Sequence, residues 1–165
     1  LHAYWEDTVS ESAFNKDFRK KLKEQANILI FRVESHSTSP GIPDNHFICG
    51  EDAKVAGRVW AGETGWIEMK EEVGTPFRVD YRPAQVPWLI QYAKNGGRCF
   101  TAIHITSTRH LLLIPGRYSQ LASSNLRLAA HWVFDLDKKD VWEEIAGKLR
   151  APVGIQPPAG RTVPA

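Results

Sequence analysis

Between two apolar, strand-like runs, Gly65 to Lys70 and Cys99 to Ile105, lies a segment that opens at Pro83 and closes at Asn95-Gly96-Gly97. These are the marks of a helix: proline loses nothing in the first turn, where its missing amide hydrogen would have no partner, and glycine accepts the left-handed conformation past the end. A strand, a helix and a second strand in that order form a crossover, so the two strands lie parallel in one sheet. An all-helical or purely antiparallel fold is thereby excluded. Along the helix, Val86, Leu89, Ile90 and Ala93 form the core stripe and Gln85, Trp88 and Tyr92 a second face. Pro87 falls early enough for the missing donor to be tolerated.

Upstream, Ser10 is placed to cap a helix from Glu11 to Gln25 in which Phe14, Phe18 and Leu22 recur every fourth residue. The helical period turns Glu11 toward the same side as this apolar stripe and sends Lys16, Arg19, Lys20 and Lys23 to the other. A carboxylate in the first turn also suits the helix dipole, so Glu11 has two readings. Asn27 to Glu34, Asp44 to Cys49 and Gly65 to Lys70 read as three strands, able to form an antiparallel meander. Ser35 to Gly41 is a polar loop, and Gly50 to Thr64 is a long hairpin arm or a loop. The order helix, three strands, helix, strand predicts an α/β domain, a central mixed sheet flanked by helices. Further on, His110 to Ile114 continues the sheet, Gln120 to Ala130 is a short helix and Trp132 to Phe134 an edge strand. Lys138 to Leu149 is a helix capped by Asp137, with Val141, Trp142, Ile145 and Leu149 inward. Residues 1–150 are expected to form one domain, and the Pro- and Gly-rich stretch 151–165 a disordered tail.

Composition narrows the class. Apolar residues make up 42% and charged residues 24%, an ordinary globular mix, and no apolar run approaches the ~20 residues that span a bilayer. Leu1 to Asp7 has neither the basic nor the apolar region of a secretory signal, so a cytoplasmic location is expected. Cys49 and Cys99 each sit in an apolar strand and read as buried thiols. A net charge of +2 does not announce a nucleic-acid partner, although Lys16, Arg19, Lys20, Lys21 and Lys23 are concentrated in one stretch. That stretch is a solvated helix face or a phosphate-binding surface. His36, His46 and His104 lack metal-ligand spacing, no nucleophile elbow is present, and no Gly-Lys loop could cradle a phosphate.

The chemistry lies in two segments. The turn Gly41-Ile42-Pro43-Asp44 delivers a carboxylate into one strand, and Gly65-Trp66-Ile67-Glu68-Met69-Lys70 presents Glu-x-Lys on the next. Side chains alternate across a strand, so Glu68 and Lys70 share a face and Ile67 and Met69 take the other. Two carboxylates ~4 Å apart repel by ~4 kcal/mol at an effective dielectric of ~20, so a pair converging there calls for a cation. An oxygen-only site suits Mg²⁺, with Mn²⁺ as its substitute.

In residue type, order and context this series resembles the PD-(D/E)XK nuclease superfamily, and its small phage-type, Holliday-junction-resolvase-like and VRR-NUC-like endonucleases in particular. Gly41-Ile42-Pro43-Asp44, Glu68-Met69-Lys70 and Arg82-Pro83-Ala84-Gln85 carry the likeness, which spans residues 8–106. The resemblance implies a restriction-endonuclease-like αβββαβ core and a magnesium-dependent DNA endonuclease. It further implies catalytic roles for Glu11, Asp44, Glu68 and Lys70, and metal binding by Asp44, Glu68, the Met69 carbonyl and Glu11. Gln85, Ser35 and Lys20 are candidate DNA contacts, and Glu34 ends its strand close enough to be considered. Compact members of the superfamily act on DNA shape, so branched DNA or a Holliday junction is the expected substrate, with a site-specific, homing-type endonuclease as the alternative. A homodimer is implied by the need to cut two strands, and the host-cell cytoplasm by a phage origin. The reading from another class is a non-catalytic nucleic-acid-binding module on the same scaffold.

Overall fold

The computed structural model describes residues 12–33, 40–50 and 62–151. The first helix, α1 (Ala13–Ala26), starts where the Ser12 side chain accepts from the Asn15 N–H at 3.2 Å and ends at Asn27, which adopts the left-handed conformation. Its cap is thus Ser12 rather than the expected Ser10, and both Ser10 and Glu11 lie outside the described residues. Phe18 and Leu22 are buried, each contributing ~1.5–3 kcal/mol by leaving water, while Lys16, Lys20 and Lys23 are exposed.

Strands β1 (Ile28–Arg32), β2 (Asn45–Cys49) and β3 (Thr64–Glu72) form the antiparallel meander. Helix α2 (Gln85–Lys94) then crosses over to β4 (Cys99–Ile105), which lies parallel to β3 with Glu68 opposite Thr101. The expected helix–strand–strand–strand–helix–strand core is present, and among the described residues β3 and β4 form its only parallel pair. Strand β5 (His110–Pro115) returns antiparallel. After a 3-10 turn over Gly116–Tyr118 come two short helices, α3 (Ser119–Ser124) and α4 (Leu126–Ala129), where the sequence predicted one. Asn125 between them is extended and its side chain accepts from the Arg127 N–H, so it stops one helix and caps the next. Edge strand β6 (Trp132–Asp135) completes a six-stranded mixed sheet in sequential order, and α5 (Val141–Arg150) packs back on α1. Asp140, not Asp137, precedes α5. Asp137 instead pairs with Arg109 at 2.8 Å.

The sheet separates two apolar layers. Phe18 and Leu22 of α1 and Ile145 and Leu149 of α5 cover one face, meeting Ile67 and Met69 of β3. On the other, α3 and α4 bury Ile103, Ile105, Leu112 and Ile114. Cys49 and Cys99 are free and buried. Burial pushes both thiols above their usual range, Cys99 to about 12, so neither is a nucleophile near neutral pH. Among the described residues no helix is long and apolar enough to cross a membrane.

Candidate active site

The two signatures of the sequence touch. Gly41 has φ of +89°, and a Cβ on it would come within 2.3 Å of the Ala84 carbonyl oxygen, so only glycine lets the Gly-Ile-Pro-Asp turn lie against the start of α2. The turn then delivers Asp44, whose carbonyl still accepts from the Val33 N–H at 2.7 Å. Its own N–H donates to Glu68 Oε2 at 3.2 Å.

At this point the sheet opens. The β2–β3 ladder ends with Asn45 opposite Ile67. Cys49 N–H donates to the Glu63 carbonyl, whereas Trp66 N–H donates to Arg98 and the Glu72 carbonyl accepts from Thr106. The alternation of a strand therefore turns the backbone of Gly65, Ile67 and Met69 toward β2 and that of the even-numbered residues toward β4. Met69 is the first of its series beyond the end of the ladder. Its backbone faces the gap where Asp44 leaves the sheet, while its side chain is buried in the α1–α5 layer.

Glu68 lies on the α2 side, 2% exposed. Its Oε1 accepts from Gln85 Nε2 at 2.8 Å and pairs with Lys70 Nζ at 3.2 Å. Gln85 Oε1 accepts in turn from the Arg82 N–H at 2.9 Å and from Lys70 Nζ at 3.3 Å. Both ends of the amide are thereby specified, since a flipped Gln85 would set donor against donor. Burial, and after it the charge of Asp44, raises the pKa of Glu68 above the ordinary carboxylate value, and Lys70 and Gln85 pull against that rise.

Gln85 is where the structure most revises the sequence reading. Grouped there with Trp88 and Tyr92, it is 2% exposed and shares the inward face with Leu89 one turn on. Trp88 and Tyr92 stack on each other at 4.8 Å, and Trp66 closes on Trp88 at 5.8 Å. Val86, Ile90 and Ala93, expected in the core, are half-buried. Two further groups at the site escaped the sequence altogether. The Tyr81 ring lies 5.9 Å below Lys70 Nζ, and its hydroxyl is 2.8 Å from Thr101 Oγ1. Burial pushes the Tyr81 hydroxyl up to about 12. Thr101 could have been found only from the β3–β4 register, which sequence does not reveal. On the same connection, exposed Arg78 and Arg82 border a cleft of about 200 Å³.

Asp44, Glu68, the Met69 backbone, Lys70 and Gln85 thus come together. Lys20 does not join them: it borders a separate groove with Arg19, Lys23, Glu24, Leu29 and Ile30. Glu11, Glu34, Ser35 and His36 lie outside the described residues, as does Trp60. His46 packs on Trp66 at 4.8 Å and His104 stacks on Phe14 at 3.7 Å. Among the described residues no three His, Cys, Asp or Glu side chains gather as a metal cluster. The oxygen-bearing groups that the described residues gather here are the two carboxylates, Asp44 and Glu68, and the Met69 backbone.

No protein-family model matches the chain, and no curated protein matches it significantly. Among solved structures, it is similar to Hjc, a Holliday junction resolvase from the archaeal hyperthermophile Archaeoglobus fulgidus. The identity is 18%, 81% of this chain and 98% of that chain are covered, and the TM-score is 0.47.

Proposed function

We propose that the chain is a divalent-cation-dependent DNA endonuclease that hydrolyses phosphodiester bonds in branched DNA such as a four-way junction. The observation that carries this reading is the meeting of Asp44, Glu68, Lys70 and Gln85 where the β2–β3 ladder ends. A binding module would gain nothing from burying a carboxylate beside a second one, because both repel phosphate.

The residues fit a hard cation. Glu68 is held against the charge of Asp44, its Oε2 accepts a single long hydrogen bond among the described residues, and the Met69 backbone opens onto the same gap. Asp44, Glu68 and the Met69 carbonyl would hold the ion, Mg²⁺ or Mn²⁺, with Glu11 as a further candidate. When bound, the ion neutralises charge at the scissile phosphate and acidifies attacking water. The chain's own groups do the rest. Gln85 fixes the Glu68 carboxylate, and Lys70, held by Glu68 and Gln85 yet partly open to solvent, presents its ammonium to a phosphate oxygen. Arg78 and Arg82 lie exposed beside the site and contact neighbouring phosphates. Cutting two strands requires two such sites, which a homodimer supplies.

Incubation with supercoiled plasmid, linear duplex and four-way junction, in Mg²⁺ and in EDTA, tests the proposal. Cleavage in Mg²⁺ alone, fastest on the junction, is expected. Equal cutting of duplex and junction would overturn the structure selectivity, and persistence in EDTA would overturn the cation.

A further inference from the structure

The connection from β3 to α2 carries a feature that the cleavage residues do not use. Phe77 is 63% exposed, and its ring makes no aromatic or cation contact among the described residues. The segment that presents it is held on both sides. The Phe77 carbonyl accepts at 2.8 Å from the Leu126 N–H, which opens α4 and finds no partner inside that helix. The Val79 N–H donates to the Ala122 carbonyl at 2.9 Å, and the Val79 side chain is buried in the α3–α4 layer. Phe77 thus stands on a fixed base. Leu128, two residues past its hydrogen-bond partner, is 53% exposed.

The free charges around this tip have one sign. Arg78 and Arg82 on the connection and Arg127 on α4 are exposed, and among the described residues no carboxylate pairs with any of them. Asp80 is the single acid in the connection, α3 and α4. One exposed apolar side chain would need no account by itself. A phenylalanine on a rigid base among unpaired arginines fits a partner that offers an apolar gap between anions, and a step between stacked bases is such a gap. A second copy related by a two-fold axis would instead set arginine against arginine. The cleft bordered by Arg78 and Arg82 leads on to Tyr81, whose ring lies 5.9 Å from Lys70 Nζ. From Phe77 to Tyr81 the chain spans at most ~14 Å, the length of ~4 nucleotides in one strand.

We infer that Phe77 is a wedge that enters the broken base stack at a DNA branch point, with Arg78 and Arg127 on the phosphates to either side. The inference rests on the proposed action on branched DNA and names the residue that selects the branch. Opening a stacked step of continuous duplex is costly, whereas a branch point has already lost that stacking. Phe77 therefore favours a junction over linear DNA, and the arginines hold both alike.

Equilibrium binding in EDTA, read by fluorescence anisotropy on a four-way junction and on linear duplex, tests it. The proteins are the wild type, Phe77→Ala, Phe77→Trp and Arg127→Ala, each checked for folding by circular dichroism. Phe77→Ala should weaken junction binding by ~10-fold, the worth of one stacked base, and leave duplex binding within ~2-fold and the salt dependence unchanged. Phe77→Trp should restore the junction preference. Arg127→Ala should weaken both substrates alike and lower the slope of log affinity against log salt by ~1. Junction affinity indifferent to Phe77→Ala, or an equal loss on both substrates, would overturn the wedge. Loss of self-association in Phe77→Ala with junction affinity kept would overturn it too, giving the surface to a second copy. A junction preference that depends on Phe77 in a wild type that cuts neither substrate in Mg²⁺ would uphold the wedge and overturn the endonuclease reading alone.

Discussion

Replacing half-buried Asp44 with asparagine removes one of two like charges beside buried Glu68 while keeping the backbone N–H that donates to Glu68 Oε2. Without a cation, ionised Glu68 is penalised by burial and by Asp44, and its pKa lies above the ordinary 4.5. The folded state therefore holds this proton more tightly than the unfolded chain does. Its contribution to stability is complete below pH 4.5 and is lost as pH rises through the raised pKa. Two unit charges ~5 Å apart at an effective dielectric of ~20 repel by ~3 kcal/mol, and the partial exposure of Asp44 reduces this to ~1–2 kcal/mol. For a chain of this size ~1 kcal/mol moves Tm by ~2–4 °C. Asp44→Asn in EDTA at about pH 8 should thus melt ~2–8 °C above the wild type, and the gap should close on acidification toward about pH 4. Addition of Mg²⁺ should raise the wild-type Tm and leave the variant where it was. Differential scanning fluorimetry across pH reads all three. A variant melting at or below the wild type in EDTA, or a gap indifferent to pH, would refute the electrostatic account of the pair.

Gln85→Leu deprives buried Glu68 and Lys70 of a shared partner. A loss of ~1–3 kcal/mol in stability is expected, with a ~10–100-fold fall in the single-turnover cleavage rate and little change in DNA affinity. An unaltered rate would make Gln85 merely structural. Gly41→Ala puts a Cβ into the Ala84 carbonyl at a backbone angle that L-residues avoid. Denaturant titration should show a loss of ~2 kcal/mol or more, and cleavage should fall with it because the turn bearing Asp44 can no longer seat on α2.

How legible the site was depended on the range of the interaction involved. Glu68 and Lys70 on one face follow from strand alternation, and the parallel β3–β4 pair follows from the crossover helix; both are local rules that burial reinforced. The resemblance puts Gln85 at the site, but a wheel drawn from apolar residues sets a glutamine on a second face and does not reveal that it is buried. Here the buried Glu68 carboxylate supplies the partner that makes an inward amide favourable. The contact of Gly41 with Ala84 joins segments far apart in the chain, and Tyr81 and Thr101 depend on strand register, so no single-sequence pattern marks them. The helix start moved from Ser10 to Ser12 because either serine satisfies the same capping rule.

The central claim is that Asp44 and Glu68 act together on one scissile phosphate. Single-turnover cleavage of a four-way junction in Mg²⁺ by the wild type, Asp44→Ala and Glu68→Ala, with junction binding measured in parallel, addresses it directly. The account predicts that each substitution lowers the rate by ~10³-fold or more, the scale of losing a principal electrostatic stabiliser, while the junction remains bound. Cleavage by either variant within ~10-fold of the wild type would contradict it.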